Sequence, residues 1–138
     1  MYETILVGTD GSKSANRAVE HAMNTAEKHD AELHALTVVN TKRYGEPSLS
    51  SYELVLNELE DRGNAQLKAV KTDADERGLE VVTDCHHGDP SQEIISYADD
   101  VDADVIVLGA QGRTHPKSEI GSTADRVVRE TDRIVHLL

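Results

Sequence analysis

The stretch GAQGRTHPKSEIGST, residues 109–123, carries glycines at Gly109, Gly112 and Gly121 and ends in the hydroxyls of Ser122 and Thr123. An apolar run, DVIVLG, leads into it and a helix-like segment, ADRVVRE, follows. Strand, glycine-rich loop and helix together can hold an anion. Glycine lets the chain turn back and approach closely, and the first N–H groups of a helix have no acceptor within it. On this reading Gly109 and Gly112 take positive φ or a close approach at the strand exit. Gly121, Ser122 and Thr123 then turn N–H groups and hydroxyls toward the anion. The spacing fits no Walker A pattern. Pro116 and Glu119 are poorly suited to a phosphate cradle, although Arg113 and Lys117 could offset the acid. A surface turn explains the same glycines, and spacing alone leaves both readings open.

A second candidate is Asp10, in the turn Asp10-Gly11-Ser12 that follows ETILVGT. A carboxylate at a strand end could help hold Mg²⁺ beside phosphate oxygens. It could equally cap the next helix or close an Asx turn onto Gly11 and Ser12. The cluster DCHHGD (84–89) raises the question of a metal. In a strand, Cys85 and His87 share one face and His86 takes the other, which leaves two ligands on one side. No second pair stands at zinc-finger spacing, so a structural metal is not expected. The other five histidines are scattered and are expected on the surface or on helix faces. No Gly-x-Ser-x-Gly elbow occurs, no Walker lysine follows the glycines, and no histidine has an evident nucleophile partner.

These residues need elements to position them. ETILVGT (3–9), ELHALTVVN (32–40), LEVVTDCHH (79–87), ADVIVLG (103–109) and RIVHLL (133–138) read as strands. Between the first two, Ala15, Ala18, Val19, Ala22, Met23 and Ala26 mark one face of a helix. A loop holding Gly45 and Pro47 precedes a long helix traced by Leu56, Leu59, Gly63, Leu67, Val70 and Ala74, which stops near Gly78. Asp89-Pro90-Ser91-Gln92 opens another helix, with Asp89 as cap, Pro90 at the first helical position and Gln92 where a capping box wants it. Strands alternating with helices predict one parallel sheet covered on both faces. Ligands of such sheets bind beyond the carboxyl ends of the strands, where the strand order reverses.

The chain has 138 residues, enough for a single domain over 1–138 with a real core. Phe and Trp are absent, so the core is expected to be aliphatic. Its 14 basic and 26 acidic residues leave a formal charge of -12, which argues against nucleic acid or an anionic membrane as partner. Such a charge could simply make a very soluble surface, but acids spread along the whole chain favour a salt-rich, halophilic cytoplasm, where screening would raise stability. One cysteine, no signal-peptide pattern and no long apolar stretch suit a soluble protein of a reducing interior.

With these motifs in place, the chain resembles the universal stress protein family from Ile5 to the last strand. That family carries a glycine, two residues, a second glycine, a spacer and then Gly-Ser/Thr, a pattern that Gly109, Gly112 and Gly121-Ser122 match. The spacer here, Arg113 to Ile120, is one residue short. VGTDGS resembles the end of the family's first strand, with Gly8 and Thr9 before Asp10 in its acidic position. Val38 falls where the second strand offers backbone to adenine, and Gly88-Asp89-Pro90 is similar to the turn after the third. The resemblance implies an α/β, Rossmann-like, doubly wound sheet of five parallel strands in the order 3-2-1-4-5. It also implies a homodimer through the terminal strand 133–138.

In one branch the family binds ATP, with Mg²⁺, between the first and fourth strands. Here the implied contacts are Gly8, Thr9, Asp10, Val38, Gly109, Gly112, Arg113, Gly121, Ser122 and Thr123. The implied role is a cytoplasmic, nucleotide-dependent regulatory module of the stress response, with a protein partner still to be identified. Hydrolysis of ATP would be slow at most, because no residue stands out as a base. The short loop and Glu119 motivate an alternative, a member that has lost nucleotide and works as a dimeric interaction module. A phosphoacceptor response domain would need an acidic cluster and a lysine after the fifth strand, where this sequence stops at Leu138.

Overall fold

Alternation of apolar residues along the strands decides which side of the sheet each helix covers. The computed structural model describes residues 1–41, 49–111 and 120–138. The elements run β1 (Thr4–Gly8), α1 (Lys13–His29), β2 (Glu32–Asn40), α2 (Leu49–Glu76), β3 (Val81–Gly88), α3 (Pro90–Val101), β4 (Val105–Leu108), α4 (Ser122–Glu130) and β5 (Ile134–Leu137). The loop with Gly45 and Pro47 lies outside the described residues, as do Gly112, Arg113, Pro116, Lys117 and Glu119. The strands form one sheet in the order β3-β2-β1-β4-β5, and every pairing is parallel. That is the doubly wound sheet implied by the resemblance.

Side chains at successive strand positions point to opposite faces. Ile5, Val7, Leu33, Ala35, Val105 and Val107 therefore pack on one side, against α1 and α2. Leu6, Leu36, Ile106 and Leu108 pack on the other, against α3 and α4. Both cores are almost wholly aliphatic, with Met23 in the first and Tyr97 in the second. Each fully buried Leu or Ile contributes about 1.5–3 kcal/mol. Gly63, in the middle of α2, lets that helix sit close on the sheet: a Cβ there would stand 3.0 Å from Thr37 Cγ2.

Local signals set the helix starts. Ser12 caps α1 by accepting from Ala15 N at 3.1 Å. Asp89 caps α3, accepting from Ser91 N at 3.2 Å and Ser91 Oγ at 3.0 Å, and Pro90 opens the helix as expected. The expected capping box does not form, because Gln92 sends its side-chain amide to Glu130 at 3.2 Å instead. Charge complementarity then ties helices together. Arg77, just beyond α2, donates to Glu20 (2.6 Å), Glu27 (3.2 Å) and Asp73 (3.3 Å), bridging α1 and α2.

Two histidines depart from the expected surface placement. His34 is buried in β2, where Nδ1 pairs with Tyr97 Oη at 2.8 Å and Nε2 with Glu32 at 3.0 Å. His136, on β5, meets His21 of α1 at 3.1 Å and lies beside the ring of Tyr2. Burial first, and His21 second, push the His136 imidazole below its ordinary value of 6.5. The unfolded chain then takes up this proton before the folded one does. The contribution of His136 is complete above pH 6.5 and declines as the pH falls toward its folded value. Thermal melts across about pH 7.5 to 5.5 should show that decline, and His136→Gln should flatten it. An unchanged slope in the variant would mean that His136 does not couple to folding.

Candidate functional site

β1 lies between β2 and β4, and the chain winds outward from it in both directions. The connections leaving β1 and β4 therefore diverge at their carboxyl ends, which opens a crevice there. It encloses about 410 Å³. Toward β2 and α3 its wall is apolar, from Leu36, Val38, Pro90 and Ile94. Toward the starts of α1 and α4 it is polar, from Ser12, Gln111, Ser122 and Thr123. Gly8, Thr9, Asp10, Val38, Gly109, Gly121, Ser122 and Thr123, scattered over more than a hundred positions, all border this one space.

Register explains the part played by Val38. Pairing of β1 with β2 ends at Gly8 opposite Leu36, and Thr9 N donates to Leu36 O at 3.0 Å. In a parallel strand the N–H and C=O of every second residue face the same neighbour. The peptide groups of Val38 therefore face the β1 side, past the point where β1 has ended. On its other side β2 continues to pair with β3 as far as Asn40. A donor and an acceptor are thus presented to the crevice from rigid backbone.

Asp10 resolves into one of its two expected local roles. Its Oδ1 accepts from Ser12 N at 2.9 Å, an Asx turn, while the α1 cap is Ser12. The carboxylate stays exposed at the rim of the crevice. Gly8 brings the β1 backbone close to its neighbours: a Cβ there would stand 2.8 Å from Leu108 Cδ2.

Of the two expected reasons for a glycine at 109, only close approach holds. Its φ is not positive; among the described glycines only Gly11, Gly78 and Gly88 have positive φ. What it requires is close approach, since a Cβ would stand 2.6 Å from the backbone N of Ala15 in the first turn of α1. Gly121 is the N-cap of α4 with φ -63° and ψ 152°, and as a glycine it brings no side-chain cap of its own. The α4 N-terminus therefore faces the crevice with the positive end of its dipole. Ser12, Gln111, Leu36 and Ile94 also border the crevice and were not legible as site residues. The two serines of Ser12-Lys13-Ser14 at a helix start were the available signal.

The DCHHGD cluster does not converge. As expected, its faces split. Cys85 packs with the α2-side core and His87 Nε2 meets Glu60 at 2.7 Å, whereas His86 faces Asp84 and Glu93, each at 3.2 Å. Among the described residues, no group of three or more His, Cys, Asp or Glu is placed to hold a metal. Burial, then Glu60 and Asp84, push the Cys85 thiol up, which disfavours a nucleophilic thiolate.

Comparison with known proteins agrees with this architecture. The model of the Universal stress protein family matches residues 1–137. Universal stress protein MJ0531 of Methanocaldococcus jannaschii is 37% identical over 131 residues, 94% of this chain and 77% of that protein. The solved structure of protein MJ0577, from the same organism, superposes with a TM-score of 0.93 at 24% identity, covering 100% of this chain and 96% of the other. A universal stress protein crystallised in complex with cAMP is 26% identical, with a TM-score of 0.76 over 99% of this chain and 97% of that one. Matched along nearly its whole length in sequence and in strand order, the chain belongs to the universal stress protein family.

Proposed function

We propose that the chain binds ATP, with Mg²⁺, in the crevice between β1 and β4, and acts as a dimeric, nucleotide-dependent regulatory module of the stress response. The observation that carries this reading is the pairing, across one cleft of about 410 Å³, of the projecting backbone of Val38 with the N-terminus of α4. That volume suits a small ligand. The Val38 C=O and N–H match the amino group and neighbouring ring nitrogen of adenine, beside the apolar wall of Leu36 and Ile94. Gly121, Ser122 and Thr123 present N–H groups and hydroxyls to the phosphates, with the helix dipole in their favour. Gly109, Gly112 and Arg113 belong to the segment that carries the chain from β4 to that helix. Gly8 and Thr9 form the floor at the end of β1.

The complex of a similar universal stress protein with cAMP, an adenine nucleotide, supports the same ligand class. The donor set fits Mg²⁺ through the exposed Asp10 carboxylate together with phosphate oxygens, since Mg²⁺ is commonly bound by one or two carboxylates plus phosphate. When bound, the metal would neutralise phosphate charge. The net charge of -12 disfavours nucleic acid as partner. A single free thiol suits the cytoplasm, and no described helix is long and apolar enough to cross a membrane.

Titration with a fluorescent ATP analogue, with and without Mg²⁺, tests the reading. Saturation below millimolar ligand, tighter with Mg²⁺, is expected. No binding at millimolar ligand would favour a nucleotide-free interaction module.

Dimerisation through β5 is part of the same proposal. β5 is an edge strand, and edges leave N–H and C=O groups for another copy to pair. Ile134 is 52% exposed on it and Val128 of α4 is 46% exposed. Arg133 does not burden such a seam, because it folds back onto Asp99 (3.1 Å) and Asp102 (3.0 Å). Ile134→Glu with Val128→Glu should reduce the mass measured by light scattering to that of one chain. A dimer that survives both charges would refute this interface.

A further inference from the structure

We propose that Ser14 is a positioning residue for the phosphate side of the crevice, coupling the start of α1 to the segment that leads into the glycine loop. The proposal rests on reading the crevice as a nucleotide site.

Ser14 is only 3% exposed, unusual for a polar residue in the first turn of a helix that already has its cap in Ser12. Its hydroxyl is used twice, both times on the backbone of one residue. It donates to Gln111 O in a short hydrogen bond and accepts from Gln111 N at 3.2 Å. Ser12 Oγ lies 3.4 Å from the same carbonyl. Gly109 makes the contact possible, because only a residue without Cβ leaves room for the first turn of α1 to come this close.

The preceding residue is held from the other side. Ala110 O accepts from Gly121 N, the residue that caps α4, and Ala110 N donates to Leu138 O at 2.8 Å. Adjacent residues of one short segment are thus tied to the starts of two helices, α1 through Ser14 and α4 through Gly121. Those starts make the polar wall of the crevice. The separation of their N–H groups, and so the fit to phosphate, depends on where Gln111 is held. Ser14 touches no ligand in this arrangement; it acts through the backbone it holds. Removing its hydroxyl leaves the Gln111 N–H and C=O without this partner, and the exit of β4 is free to shift.

Ser14→Ala tests this when ATP and adenosine are titrated into both proteins. ATP affinity should fall roughly tenfold while adenosine affinity stays at the wild-type value, because only ATP uses the phosphate wall. A merely structural role would weaken both ligands alike. Hydrogen exchange of the wild type supplies a second reading that needs no variant. The Gln111 amide should exchange as slowly as amides of β4, and in Ser14→Ala it alone among them should become fast. Equal loss for ATP and adenosine, no loss for either, or an unprotected Gln111 amide in the wild type would overturn the positioning role while leaving nucleotide binding intact. Wild-type protein that binds neither ligand would overturn both readings.

Discussion

Gly109→Val should lower stability by about 3 kcal/mol and reduce nucleotide binding with it. The expected melting temperature is roughly 10 °C below wild type. The reason is steric. A Cβ at this position meets the backbone N of Ala15 at 2.6 Å, and the obstacle is the first turn of a helix, not the end of a flexible side chain. Either α1 moves off the sheet, with loss of packing by Ala15, Ala18 and Ala22, or β4 is displaced from β1. Gly78→Ala is the matching control. Gly78 has φ +72° and nothing within 4 Å of its would-be Cβ, so only backbone strain opposes the change, about 1 kcal/mol. Thermal melts of the two variants separate close approach from conformation as the need for glycine. A Gly109→Val protein melting within about 3 °C of wild type would mean that the α1 contact gives way cheaply.

Ser122→Asp should separate function from stability in the opposite sense. Ser122 is exposed at the first position of α4, where a carboxylate interacts favourably with the helix dipole by about 0.3–1 kcal/mol. The dipole gain offsets what the hydroxyl contributes, so the fold should melt within about 3 °C of wild type. The same carboxylate stands where the proposal seats phosphate. Two unit charges about 4 Å apart repel by about 4 kcal/mol at the effective dielectric of a protein surface. Even half of that weakens ATP by more than tenfold, and the full value approaches a thousandfold. Calorimetric titration with ATP alongside a melting curve measures both effects. ATP binding at wild-type strength would remove α4 from the phosphate site, whatever else the crevice holds.

The two variants also mark the line between what one-dimensional information contains and what it lacks. The sheet was legible because each strand is a short aliphatic run bounded by turn residues, and because Ala15 to Ala26 repeat with a helical period. Parallel pairing followed from the alternation of strands with helices. Asp89-Pro90 located a helix start to the residue, since capping is chemistry within four neighbouring positions. The crevice was legible too, as a set of strand exits. That Gly8, Asp10, Val38, Gly121 and Thr123 border one space follows from the winding rule once the strand order is known.

Long-range contact decided the rest. Gln92 satisfied every local requirement of a capping box, yet Glu130 offered its amide a partner 38 positions away. His34 sits where alternation points it inward, but its burial depends on the hydroxyl of Tyr97, 63 positions further on. The glycine at 109 is explained by the α1 backbone almost a hundred residues earlier, and Ser14 gains its partner, Gln111, across the same gap. A residue's type and its near neighbours determine which conformations it can take and which hydrogen bonds it can make locally. Which buried polar group finds which partner is set only when two distant segments pack. Leaving such a group unpaired away from water costs more than any local preference returns.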